Sequence, residues 1–177
     1  MTARESRLTK LGVAIGAVAA ALAVVAPAAS AAPVPPTRFT SVKGFSEDRL
    51  NFGSLGACQD VFTGPVTFQN PTGHIKADID SVTYNFCDSG FSVTANALPW
   101  KLDLQRNVSY TISGVDVDIT TTEGTCRYTG TIDGLGEGAD HFPDVYDTRG
   151  TLNRQTTGCG GPDQINVVNL TNSISFS

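Results

Sequence analysis

The chain has 177 residues, with 12 Lys/Arg against 17 Asp/Glu and a formal charge of −5. Such an acidic balance leaves no basic footprint for nucleic acid or for anionic lipid. The length suits one domain with a real hydrophobic core.

Met1–Lys10 carries Arg4, Arg7 and Lys10 against Glu5 alone, and Leu11–Ala26 is entirely apolar or Gly. Small side chains end the stretch at Ala29-Ser30-Ala31. This is the layout of a secretory signal peptide, too short for a comfortable membrane-spanning helix. A signal peptide over 1–31 and one exported domain over 32–177 are therefore expected. The mature domain would keep 9 of the 12 Lys/Arg and 16 of the 17 Asp/Glu, a charge of −7. No Cys follows the apolar run to carry a lipid, and no second apolar run follows to span a membrane. A secreted, extracellular or envelope-associated protein is predicted, with no cofactor and no nucleic-acid partner.

The mature composition points to strands. Nineteen Thr and twelve Val stand against six Ala and three Lys, the mixture that fits a pleated, half-buried surface rather than a helix. Along the chain, apolar residues alternate with polar ones. Val66 and Phe68 open the series, followed by Ile75, Ala77 and Ile79, then Phe91, Val93 and Ala95. Trp100, Leu102 and Leu104 come next, then Val108, Tyr110 and Ile112, then Val115, Val117 and Ile119. Cys126, Tyr128 and Ile132 share a phase, as do Tyr146 and Leu152, and Ile174 and Phe176. About nine or ten strands separated by Gly, Asn and Pro signals imply a sandwich or Greek-key barrel. The architecture expected is a two-layer antiparallel β-sandwich, Greek-key or Ig-like. The phase slips by one residue between Ile79 and Val82, between Ala95 and Leu98, and across Ser113-Gly114. Each slip marks a bulge or a strand changing sheets, or else an ordinary connection between short strands.

Cys58, Cys87, Cys126 and Cys159 form an even set in an exported chain, so disulfides are expected over zinc, which wants closely spaced pairs. A turn at Asn70-Pro71-Thr72-Gly73 makes facing residue numbers sum to about 143, which brings Cys58 opposite the neighbourhood of Cys87. A second hairpin around the Gly-rich stretch after Asp133 makes them sum to about 278, which brings Cys126 towards Cys159. The predicted pairs are Cys58–Cys87 and Cys126–Cys159.

Several constellations invite chemistry. Asp88-Ser89-Gly90 resembles the frame of a serine nucleophile, with His74 as a remote base, but it reads as a polar turn after a disulfide cysteine, with catalysis far behind. Asp78 with Asp80, and Asp116 with Asp118, place paired carboxylates on one strand face. They read first as charged solvent faces, with calcium or acid–base work as alternatives. Asp133, Glu137, Asp140 and Asp144 line the longest irregular stretch, with His141 among them; it reads as a hairpin tip, with a weak calcium alternative. Trp100, flanked in phase by Leu98 and Leu102, is either core or the lining of an apolar ligand pocket. Pro99 belongs at a strand start, an edge or a bulge. No set of residues converges on catalysis, so a non-enzyme is expected.

Three stretches also carry a resemblance: Ala57-Cys58-Gln59-Asp60-Val61-Phe62-Thr63-Gly64-Pro65, Leu98-Pro99-Trp100 after Cys87, and Ser113-Gly114-Val115 before Cys126. Over residues 55–130 this order resembles small secreted bacterial β proteins, including those named as activators of alkane oxidation (PraB-like). The resemblance implies an exported factor linked to growth on hydrocarbons and to the cell surface, and it assigns no catalytic residue. Two functions follow as expectations: a non-enzymatic protein of the surface or envelope, or a carrier of a small hydrophobic molecule. A secreted hydrolase ranks behind both.

Overall fold

The computed structural model describes residues 38–106, 108–136 and 144–177. The expected signal peptide lies outside them. Eleven strands follow one another: β1 (Ser41–Ser46), β2 (Leu50–Asn51), β3 (Ala57–Gln69), β4 (His74–Ile79), β5 (Ser81–Asn85), β6 (Ser92–Ala95), β7 (Trp100–Gln105), β8 (Ser109–Thr121), β9 (Gly124–Gly136), β10 (Asp144–Arg154) and β11 (Gln164–Phe176). The all-β, antiparallel expectation holds.

The sandwich does not. Val42 of β1 pairs with Phe176 of β11 on one side and with Gly64 of β3 on the other, so the sheet closes on itself. The ring runs β1-β3-β4-β7-β8-β9-β10-β11 and returns to β1, an eight-stranded barrel. Each strand of the ring neighbours the next one along the chain, so the order is up-and-down rather than Greek-key. A sandwich and a barrel both bury one face of every strand, so alternation alone does not separate them.

All three phase slips fall on irregularities. Asp80 separates β4 from β5, yet both run along β3, from Val66 opposite Ala77 to Gln59 opposite Asn85. Residues 96–99 separate β6 from β7, and both run along β8. Gly114, with φ of 75°, forms the bulge of β8 against β9 between Ser113 and Val115. Near the 86–91 connection the two arms splay: β4 pairs with β7, whereas β5 pairs with β3 and β6 with β8.

Both disulfides form as expected, Cys58–Cys87 and Cys126–Cys159, with Cα atoms 4.0 and 5.6 Å apart. The second hairpin is centred two residues later than the turn signals implied. Tyr128 faces Arg154, so paired numbers sum to 282 rather than about 278. The reason is that β9 continues through Gly136 and β10 starts at Asp144, which takes Asp133 out of the loop and into a strand.

The inward face is apolar: Ile75, Ile79, Leu102, Leu104, Val117, Tyr128, Leu152 and Ile174 are all buried. The outward face carries residues such as Lys76, Asp78, Lys101, Asp103 and Arg127. That is the inverse of a transmembrane barrel, which is apolar outside and polar within. Among the described residues no helix is long and apolar enough to cross a membrane.

An eight-stranded barrel is just wide enough for side chains to fill it. Large residues therefore face glycines. Phe62 lies opposite Gly44, Tyr110 opposite Gly134, Leu152 opposite Gly130 and Ile132 opposite Gly150. A Cβ at Gly44 would sit 2.0 Å from the Phe62 ring, and one at Gly134 would sit 2.1 Å from the Tyr110 ring.

Two expected core positions, Phe68 and Val108, lie elsewhere. Phe68 is 46% exposed and Val66 half-buried, because the register shifts between them and Phe68 falls at the open end of β3. Val108 is exposed, in the tight turn between β7 and β8.

Candidate functional site: the barrel interior and its rim

Trp100 opens β7 and turns inward, 4% exposed, with its indole N–H donating to the Asn96 carbonyl at 2.9 Å. Pro99 stands immediately before the strand, joined to Leu98 by a cis peptide bond. The three residues expected around an apolar ligand do not converge. Leu102 is core, whereas Leu98 is 37% exposed on the outer surface.

The interior is filled. Its cavity, bordered by Phe62, Trp100, Tyr110, Thr148, Asp60 and Asn172, measures ≈ 20 Å³. A small-molecule site needs about 300 Å³ or more, so the barrel centre has no room for a carried molecule. The open grooves lie outside it. The most apolar follows the rim where β1 begins and β3 ends, lined by Phe39, Val66, Phe68 and Pro71, with a volume of ≈ 630 Å³.

The interior holds polar groups that alternation concealed. Asp60 lies on the inward face of β3 between Cys58 and Phe62, 7% exposed. Its backbone N–H donates to Ser46 Oγ at 2.9 Å, and its Oδ1 has no partner. Burial pushes its carboxyl up to about 6, against a hydrogen bond from Ser46 that lowers it. Asn172 Nδ2 donates to the Tyr110 hydroxyl at 3.1 Å, and that hydroxyl shares a 2.5 Å hydrogen bond with Thr148 Oγ1. Burial raises the Tyr110 phenol far above its ordinary range. Asp60 keeps the inward phase of Cys58 and Phe62 along β3.

Asp78 and Asp116 are tied into ion pairs, and Asp116 is buried rather than on the solvent face expected of it. Lys101 Nζ meets Asp78 Oδ1 at 2.9 Å, and Arg127 Nε meets Asp116 Oδ1 at 2.8 Å. Hydrogen bonding to Arg127 holds the Asp116 carboxyl below its usual value. His74 contacts Asp103 at 2.5 Å. Asp88 accepts from the Ala57 amide at 2.9 Å and pairs with Arg49 at 2.7 Å, so it fastens the turn that carries Ser89. Ala57 begins β3, whereas His74 bonds the Asn70 amide just past its other end. At about 3.3 Å per residue that places Ser89 and His74 roughly 40 Å apart, which excludes a dyad between them.

Of the calcium candidates, Asp133 sits on β9, where its Oδ1 accepts from Thr111 Oγ1 at 2.6 Å. Glu137, Asp140 and the side chain of Asp144 lie outside the described residues, as does His141. Among the described residues no group of three or more His, Cys, Asp or Glu is placed to hold a metal.

These features define an acidic, disulfide-stapled, up-and-down β-barrel with a filled interior and an open apolar groove at one rim. The chain belongs to the alkane oxidation protein activator PraA/PraB-like family, whose model matches residues 7–168. No curated protein and no solved structure matches it. The two disulfides point to an oxidising, non-cytoplasmic environment.

Proposed function

We propose that this protein is an exported, non-enzymatic factor that acts at or near the cell surface in support of alkane oxidation. Its membership of the activator family is the observation that carries the reading. The disulfides support export, since such bonds persist outside the reducing cytoplasm. The tying of Asp78, Asp116 and Asp88 into ion pairs supports a structural rather than a catalytic use of the charged residues. The test is deletion of the coding sequence, followed by growth on a medium-chain alkane and on a sugar. Growth should slow on the alkane alone and recover with the full chain, not with a form lacking residues 1–31. Equal growth on both carbon sources would refute the role. A turnover panel in which one Asp or Ser substitution abolished hydrolysis would refute its non-enzymatic character.

The rim groove favours a second reading, binding of a small hydrophobic molecule. Phe68 and Phe39 border an open volume of ≈ 630 Å³ at the end of the barrel. A fatty acid or alkane would lie along the outside of the rim. Calorimetric titration should show binding that Phe68→Ser removes while the melting temperature stays unchanged. Binding that survives Phe68→Ser would place the ligand elsewhere.

A further inference from the structure

Two residues that border the interior cavity, Asp60 and Asn172, each carry a buried Oδ1 without a partner. The fold fixes their relation. Asn172 of β11 faces Ser46 of β1 across the ladder, and Ser46 Oγ accepts the backbone N–H of Asp60 on β3. Asp60 and Asn172 therefore stand on strands either side of the last residue of β1. Two strand spacings separate their backbones by about 9–10 Å, a gap that the two short side chains do not close with a hydrogen bond between their Oδ1 atoms.

Asn172 turns its amide nitrogen to the Tyr110 hydroxyl, so Oδ1 is the atom left without a partner. Tyr110 and Thr148 are occupied with each other. An ionised carboxylate and a carboxamide oxygen are both acceptors, so whatever lies between them must bring two hydrogens. A cavity of ≈ 20 Å³ exceeds the roughly 10–15 Å³ that one water requires. Hard cations want about six or more oxygens, and among the described residues the buried unpartnered side-chain oxygens of the lining are these two. Each buried oxygen left bare would forfeit the hydrogen bonds it makes to water in the unfolded chain.

We propose that Asp60 and Asn172 frame a built internal site for a single water molecule, which donates one hydrogen to each of their free oxygens. The water completes a relay from Asp60 on β3 through Asn172 on β11 to Tyr110 on β8 and Thr148 on β10. It links strands from opposite parts of the chain inside the barrel.

The test is a high-resolution crystal structure of the mature protein at pH 8, with magnetic relaxation dispersion to count long-lived internal waters in solution. Density is expected within about 2.6–3.2 Å of both oxygens, and the count should fall by one in Asp60→Leu, which fills the cavity. Should that variant fail to fold, Asn172→Leu reads the same loss. A dry cavity at pH 8 overturns the proposal, as does an unchanged count in the folded variant. A melting temperature raised by sodium over N-methylglucamine at equal ionic strength, and not so raised in Asp60→Asn, overturns it in favour of a cation.

Discussion

A carboxyl group turned into a closed barrel changes the acid–base behaviour of the whole protein, and Asp60 does so with a definite sign. Burial raises its folded-state value from 3.8 to about 6, so the folded chain holds this proton more tightly than the unfolded chain. The stability it contributes is fully present below 3.8 and is lost as the pH rises through about 6. The difference between the limits is on the order of 3 kcal/mol. The melting temperature of the parent should therefore fall between pH 4.5 and pH 7.5 more steeply than that of Asp60→Asn. Parallel pH profiles would show that Asp60 is not the group responsible. Trp100 acts through bulk instead. Its ring covers the interior at the start of β7, so Trp100→Ala should cost about 3–5 kcal/mol, the usual range for an emptied aromatic site. Thermal unfolding should record that loss with both disulfides intact. An unchanged melting temperature would remove Trp100 from the core.

At the level of strands, the pairing of large residues with glycines lets a narrow barrel hold Tyr and Phe. Gly44→Ala would place a methyl within 2.0 Å of the Phe62 ring, and displacing that ring should cost about 1–3 kcal/mol. Combined with Phe62→Leu, the two losses should be less than additive, because the smaller side chain yields the space. Additive losses in denaturant titrations would mean that the contact is not what excludes the methyl. The same pairing bears on how much could be read in advance. Inward positions from Ile75 to Phe176 were legible because each side chain on a strand alternates with its neighbour. Both disulfides were legible through hairpin arithmetic, although the second hairpin is centred two residues later than its turn signals implied. The phase slips at Asp80, at residues 96–99 and at Gly114 marked where pairing breaks or bulges. Closure was not legible. It depends on β1 meeting β11 across more than a hundred residues, a contact that leaves no local pattern. Asp60 was hidden for the opposite reason. A polar residue among apolar ones reads as an outward position, and the buried phase shows only once the segment from Cys58 to Gly64 is known to be a strand.

For the whole molecule, the last strand is the closure. The pairing of β1 with β11 runs from Val42 opposite Phe176 to Ser46 opposite Asn172, so deleting residues 172–177 removes all of it. That deletion leaves the ring closed only by the pairing of Val168 with Asn51 of β2 and frees the outer edge of β1, an unpaired edge that invites edge-to-edge association. The truncated protein should elute as large aggregates in size-exclusion chromatography, whereas the parent elutes as a discrete species; a discrete truncated species with a parental melting temperature would show that the ring closes without β1–β11. The closure also governs how the molecule would answer to force. Ser41 and Ser177 touch through their hydroxyls at 2.6 Å, so the two ends of the domain leave side by side from antiparallel neighbours. Tension between them loads the ladder one rung at a time, as in opening a zip, rather than shearing all its bonds together. The barrel is thus soft to a pull on its ends, yet its extension is capped. Cys58–Cys87 and Cys126–Cys159 withhold the chain inside loops with separations of 29 and 33 residues. In a tethered molecule the redox state of these cysteines would set how far the unravelled thread could reach.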